Sequence, residues 1–364
     1  MNLINFGFST QGTSVKVAVV YNEAYQEIND QYSTESPEEL GFKPYFDLDE
    51  SDPIAEYESI AAHLRKSGYE AYILNILDNV NIFLEDLKKN KPDVIFNFVE
   101  IYKDIPELEM GFAGLMELLH IPYTGAPPIA LGTCQSKYLT KGILSTIGIR
   151  VARSKFIQNP KKIYRLNLDY PLIVKPSLED ASVGIDVEAV VSDYKHLRDR
   201  INYIFSEFEQ PVLVEEYIEG RELNVAVLGD KNPKVLPISE IDFSKMPEHL
   251  YNIVSYQAKW EPLHEAYHKT IPICPARLPK KIEAEAKKIA LKAFRAMRCR
   301  DYCRVDMRLS KENKLYVLEV NPNPDLTEDA GFMRSMKHAG YSYRRALKTI
   351  VDLAAARINH KAAG

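Results

Sequence analysis

Two carboxylates and an arginine, placed to face one another across a single hairpin, constrain this chain more than any other feature. Residues 303–324 read CRVDMRLSKENKLYVLEVNPNP, with apolar alternation over 303–309 and 315–321 around the polar turn 310–314. If Met307 faces Leu318, Asp306 lies opposite Glu319 and Arg304 opposite Asn321, with all four on one face. Like charges opposed across a ladder destabilise it. The pattern therefore implies a cation between them, and hard carboxylate and amide oxygens suit Mg²⁺ carried in by nucleotide phosphates. The same alternation also describes a solvated polar face backed by a buried one. For the hairpin alone the solvated face is the default, and the adjacent arginine and the abrupt Asn-Pro-Asn-Pro exit weigh against it without removing it.

The surroundings are those of an ordinary globular chain. With 364 residues, 46% hydrophobic and 27% charged, there is material for two or three packed units. A net charge of -5 and the lack of a basic tail give no bulk reason to bind nucleic acid or an acidic membrane. No apolar run reaches membrane-spanning length and the N-terminal stretch lacks a charged leader, so a cytoplasmic protein is expected. Cys134, Cys274, Cys299 and Cys303 are too scattered for a disulfide framework, and Cys299 and Cys303 read as buried, reduced thiols. His264 and His268 are spaced as zinc ligands on a helix would be, but with no third ligand in view they read as a loop or helix end.

Along the chain, residues 15–21 (VKVAVVY) suit a strand buried on both faces. Strands over 71–77 and 93–99, with helices over 54–67, 82–89 and 110–119, extend this into an open, mostly parallel α/β sheet across the first third. The stretch 31–53, with seven acids against one lysine and three prolines, reads as a surface loop or flap. After Gly125 the pattern becomes α+β: a helix over 136–147, strands over 154–158 and 171–175, a loop over 177–184, a helix over 192–208 and a strand over 211–217. Another strand from Arg221, an irregular segment to Pro275, an amphipathic helix over 279–297 and the hairpin follow. A packing helix over 342–357 ends the chain.

Other residues carry chemistry at particular places. Lys175 ends an apolar strand before a turn of small residues, where an ammonium, the Ser182 hydroxyl and backbone N–H groups can cradle phosphate; a plain hairpin has the same look. The run 212–222, VLVEEYIEGRE, leaves a buried strand through an acidic bend whose backbone can meet an adenine edge and whose Glu222 can accept from ribose hydroxyls. An acidic strand exit fits it equally.

Taken together, Lys137, the Lys175 loop, the 215–222 segment, Lys259 in YQAKW, and Arg304/Asp306/Glu319/Asn321 resemble the ATP-grasp enzymes, and most of all the D-alanine:D-alanine ligase group. The resemblance spans about residues 92–327, with IPYTG (121–125), 215–222 and Glu319-Val320-Asn321 its most specific pieces. It implies three domains: 1–132, an N-terminal open parallel α/β unit for substrate; 133–217, a central α+β lobe; and 218–364, a C-terminal α+β lobe with the metal and catalytic residues. It also implies that Lys137 and Lys175 hold ATP phosphates under a lid containing Ser182. Glu215, Glu216, Tyr217 and Ile218 would then form the adenine hinge, with Glu222 on ribose and Lys259 on the γ-phosphate. Asp306, Glu319 and Asn321 would hold two Mg²⁺, with Mn²⁺ an alternative, and Arg304 would stabilise the transferred phosphoryl. The activity implied is ATP-dependent carboxylate:amine ligation through an acyl phosphate, with small-molecule or peptide substrates and room for a homodimer.

Both substrate ends depart from the group. Tyr21-Asn22-Glu23-Ala24 replaces its Gly-Gly loop, leaving Glu23 to play the amine-binding acid. Residues 100–103, EIYK, replace its His-Gly segment. Asp325 and Ala330-Gly331 stand where a small glycine and a Ser-Leu pair hold the second alanine. A true D-alanine:D-alanine ligase, or a nucleotide-binding protein that ligates nothing, are the competing readings, and Asp325 points toward a cationic or carboxylate-free acceptor.

Overall fold

The alternation of β-branched residues at the start of the chain is explained by a strand with helices on both sides. In the computed structural model, which describes residues 14–23, 53–162 and 166–358, β1 (Lys16–Tyr21) lies between β2 (Glu70–Asn75) and β3 (Val94–Phe98), parallel to both. Val17 and Val19 pack with α1 (Pro53–Arg65), while Ala18 and Val20 pack with α2 (Val80–Asn90), α3 (Glu109–Leu118) and α4 (Pro128–Gln135). Each such fully buried aliphatic side chain contributes about 1.5–3 kcal/mol. The acidic stretch up to Asp52 and the residues before Ser14 lie outside the described residues.

The middle of the chain forms an antiparallel sheet of four strands ordered β4 (Ser154–Ile157), β7 (Val212–Glu216), β5 (Leu172–Pro176), β6 (Val190–Val191). It follows α5 (Lys137–Thr146) and is backed by α6 (Tyr194–Phe208). Leu172, Val174, Val212 and Val214 bury against Leu197, Ile201 and Ile204 of α6. Alternation therefore places Ile173, Lys175, Leu213 and Glu215 on the opposite face.

The remainder forms a third sheet. Its strands are β8 (Gly220–Leu228), β9 (Lys234–Val235), β10 (Ser239–Asp242), β11 (Ile271–Ile273), β12 (Tyr302–Ser310) and β13 (Leu315–Asn321), in the order β11-β10-β8-β12-β13 with β9 on β8. Its apolar face packs on Ile282, Ala286, Ala290, Ala293 and Phe294 of α9 (Lys280–Ala296), where alanines at helical spacing admit close approach of the sheet. The segment read as irregular up to Pro275 in fact holds β9, β10, β11 and two short helices, α7 (Tyr256–Trp260) and α8 (Glu265–Lys269). Helix α4 was not anticipated, and a helix α10 (Gly331–His338) follows the hairpin. The last helix, α11 (Tyr343–Ala355), packs back on α1, joining the chain's two ends in one core.

The hairpin register differs from the expectation at one point. Arg304 pairs with Asn321 and Asp306 with Glu319, but Met307 pairs with Val317, leaving Leu318 as the extra residue of a bulge. The bulge has a purpose visible in the pattern. Leu315 and Val317 are buried against α9, and strict alternation would send Glu319 to the same side. One inserted residue reverses the phase, so Glu319 and Asn321 emerge on the polar face beside Asp306.

Asp301 ties the first unit to the third. Fully buried, it accepts from Gly125 N at 2.9 Å and takes Arg357 Nη1 and Nη2 at 2.6 and 2.7 Å. Gly125 is required there: its φ is +91°, and a Cβ would fall 2.4 Å from Asn323 Oδ1. Cys134, Cys299 and Cys303 are free and buried in the α9 core. His264 caps α8 through Ala266 N and His268 bonds Pro262 O, so neither faces a shared metal.

Candidate active site

The polar face of the third sheet assembles its groups in register. Asn224 on β8, Asp306 on β12 and Glu319 on β13 form one row; Arg304 and Asn321 form the row beside it. Arg304 grips Asp306 bidentately, Nε to Oδ1 at 2.8 Å and Nη2 to Oδ2 at 2.8 Å, while Asn224 and Asn321 donate to the same carboxylate at 2.8 and 2.9 Å. Burial and the neighbouring Glu319 raise Asp306, against the pull of Arg304. Burial also opposes ionisation of Glu319, yet Lys137, Arg304, Lys175 and an Asn321 hydrogen bond outweigh it and bring it down to about 2. Glu319 is therefore an anion facing cations from the central sheet.

Those cations come from two elements. Lys137 opens α5 directly after the cap Ser136, buried, with Nζ donating to Glu179 O in the 177–184 loop. Lys175 leaves β5 buried, its Nζ 2.9 Å from Glu215 Oε2. Around them the loop is latched. Ser182 Oγ donates to Val254 O at 2.8 Å, Trp260 Nε1 donates to Ala181 O at 2.8 Å, and Ala181 and Ser182 are both left-handed, with φ of +52° and +66°. Such backbone strain is typical of segments whose geometry serves a ligand. Lys259 is exposed on α7, and its charge partly offsets the acids that raise Glu100.

The other expected residues occupy distinct surroundings. Glu216 points its carboxylate away from the cleft, to Arg153 at 2.7 Å and Asp169 N at 3.0 Å. Tyr217 stands edge-on to Tyr251 and packs with Ile173, Val190 and Ile253, an apolar patch leading to Ile218. Glu222 is buried against Arg308 at 3.2 Å, and burial raises it.

At the first unit, Glu23 follows β1, its N–H held by Asn75 Oδ1. Asp325 has a local partner: its carboxylate accepts from Thr327 N at 2.8 Å and Thr327 Oγ1 at 3.1 Å, a turn closed by its own side chain. Its charge nevertheless reaches Glu56, Glu100 and Tyr343, raising each. Crowding by the surrounding protein and then Asp325 raise Glu100, although its side chain is open to solvent, which screens the effect; burial and Glu100 push Glu109 up to about 8. This part of the cleft is acid-lined.

Asn224, Arg308 and Lys141 were missed by the sequence reading, though periodicity marks all three. Asn224 is two residues from Glu222 on one strand, Arg308 two from Asp306, and Lys141 one helical turn from Lys137.

The donor set fits Mg²⁺. Among the described residues no three His, Cys, Asp or Glu side chains gather to cage a metal. The set here is two carboxylates and an amide that also carries an oxygen, which suits an ion that keeps phosphate and water ligands.

Lysines from α5 and β5 set against carboxylates from β12 and β13 are the arrangement of an ATP-grasp enzyme, an ATP-dependent ligase. The family model for the D-ala D-ala ligase C-terminus matches residues 143–352. A D-alanine–D-alanine ligase of Carboxydothermus hydrogenoformans is 31% identical over 306 residues, covering 81% of this chain and 91% of that one. An uncharacterised protein of Sinorhizobium fredii, y4sG, is 28% identical over 349 residues, 93% and 97% of the two chains. The crystal structure of the Bacillus anthracis D-alanine–D-alanine ligase complexed with ATP matches in fold at a TM-score of 0.67 and 23% identity, covering 96% of this chain and 100% of that one. The chain belongs to the D-alanine–D-alanine ligase family, as a divergent member. No helix among the described residues is long and apolar enough to cross a membrane.

Proposed function

We propose that the chain joins a carboxylate to an amine through an acyl phosphate, acting on an amino acid or short peptide. The observation that carries this is the convergence on Glu319 of Lys137 from α5, Lys175 from β5 and Arg304 from β12. A carboxylate is a poor acyl donor until phosphorylated, and the charge on the moving phosphoryl has to be balanced by fixed cations. In this reading Lys137, Lys175 and Lys259 hold the phosphates, and the 177–184 loop with Ser182 shuts out water. The hinge Glu215–Ile218 takes adenine through its backbone, Glu222 takes ribose, and Arg304 steadies the phosphoryl and the tetrahedral intermediate. Asp306, Glu319 and Asn321 hold two Mg²⁺, which supply further positive charge at the phosphates when bound. Residues 1–132, 133–217 and 218–364 serve as the substrate, central and C-terminal units, although the first boundary cuts α4.

The acceptor is a cationic or carboxylate-free amine. An acid-lined pocket repels a second carboxylate and attracts a cation. Glu23 and Asp325 are its proposed contacts. In an ADP-release assay D-alanine alone gives no turnover, whereas an amino-acid carboxylate donor supplied together with a diamine or amidated amino acid as acceptor does. Asp325→Asn keeps the Thr327 turn, since asparagine closes it equally well, and raises the acceptor's KM more than it lowers saturated turnover. Robust D-alanyl-D-alanine synthesis by the unmodified protein contradicts this and restores a plain D-alanine:D-alanine ligase.

A further inference from the structure

A second lysine lies behind the phosphate-facing one. Lys141, one turn along α5 from Lys137, is 3% exposed, and its Nζ sits 2.8 Å from Glu215 Oε1. Lys175 takes the other oxygen of the same carboxylate at 2.9 Å, and Glu215 is 1% exposed. The Lys141 contact is an ion pair without hydrogen-bond alignment; neither Lys141 Nζ nor Glu215 Oε1 has a hydrogen-bond partner among the described residues. A buried ammonium held only by such a pair is an expensive way to fill space, and an apolar side chain of similar length does so at lower cost.

Charge counting explains why it is there. With Lys175 alone beside Glu215, the two charges cancel and the phosphate side of the cleft receives little net field. Two ammonium groups on one carboxylate leave a surplus positive charge, and that of Lys175 reaches across to Glu319. Burial alone would raise Glu215, but Lys141 and Lys175 together bring it down to about 2.

We propose that Lys141 is a positioning residue that neutralises Glu215, leaving the Lys175 ammonium available to nucleotide phosphate. This rests on the nucleotide reading of the cleft.

The test compares dissociation constants for ATP, ADP and adenosine in Mg²⁺ buffer across the unmodified protein, Lys141→Met, Lys141→Arg, Glu215→Gln and Lys141→Met/Glu215→Gln, with melting temperatures alongside. Lys141→Met weakens ATP and ADP about ten- to a hundredfold, the size of one lost charge-assisted contact, and leaves adenosine unchanged. Lys141→Arg retains phosphate affinity. The double variant recovers most of it, because removing the anion with the second cation restores the surplus charge. Equal weakening of adenosine and ATP, unchanged ATP affinity in a folded Lys141→Met protein, or no recovery in the double variant overturns the assignment. If the unmodified protein binds no ATP, the nucleotide reading falls, and the role of Lys141 with it.

Discussion

Glu319→Gln abolishes ADP formation while leaving the fold and the melting temperature nearly intact. The substitution keeps the side chain's shape and removes one charge. That charge is held ionised by Lys137, Arg304 and Lys175 despite burial, so its loss leaves cations from both sheets facing a neutral amide and weakens any shared metal. Arg304→Ala lowers turnover by about two decades, as loss of a preorganised charge-stabilising group typically does. It also strips Asp306 of its bidentate partner, so its melting temperature has to be followed alongside the rate. Steady-state ADP release measured on both variants checks the assignment, and near-normal turnover in both refutes it.

Asp301→Ala produces the largest loss of stability. Arg357 keeps its guanidinium four-fifths buried and loses both oxygens that it now holds at 2.6 and 2.7 Å. Breaking one side of a buried ion pair costs about 3–5 kcal/mol, and here Asp230 at 3.8 Å and the Leu353 and Tyr123 carbonyls, which stay with Arg357, hold the loss to the lower end of that range. In a chain of this size that lowers the apparent melting temperature by roughly 10 °C. Replacing both partners, Asp301→Ala with Arg357→Leu, recovers a substantial part, since no charge is then stranded. Calorimetric melting of the three variants decides it: a single-variant loss below about 1 kcal/mol would mark the pair as solvent-screened, of the kind that contributes little.

The strands and long helices were legible because their periods are local. VKVAVVY marks a strand covered on both faces, and the α9 alanines mark a helix laid close on a sheet. The Asp306–Glu319 pairing was legible too, since the polar residues on the two strands of the hairpin match across it. The bulge at Leu318 was not, because it is visible only as a conflict between the buried Leu315 and Val317 and the cleft-facing Glu319, which needs α9 in place to be seen. The bond of Asp325 to Thr327 was not legible, because a turn closed by a side chain has no apolar pattern around it. Asp301 and Arg357 lie 56 residues apart in the chain, and nothing local to either announces the other. Lys141 was hidden behind Lys137: a second lysine one turn on reads as solvated helix surface until the structure buries it on Glu215.

The central claim is that ATP phosphorylates a carboxylate that an amine then attacks. It is tested by incubating the protein with ATP, Mg²⁺ and an amino-acid pool whose carboxylates carry ¹⁸O, then analysing released phosphate by mass spectrometry. The account predicts ADP formation that depends on the pool, with one ¹⁸O delivered to each phosphate and one amide formed per ADP. Released phosphate that carries no ¹⁸O, its new oxygen having come from solvent water, or ADP released at the same rate without any carboxylate, contradicts it.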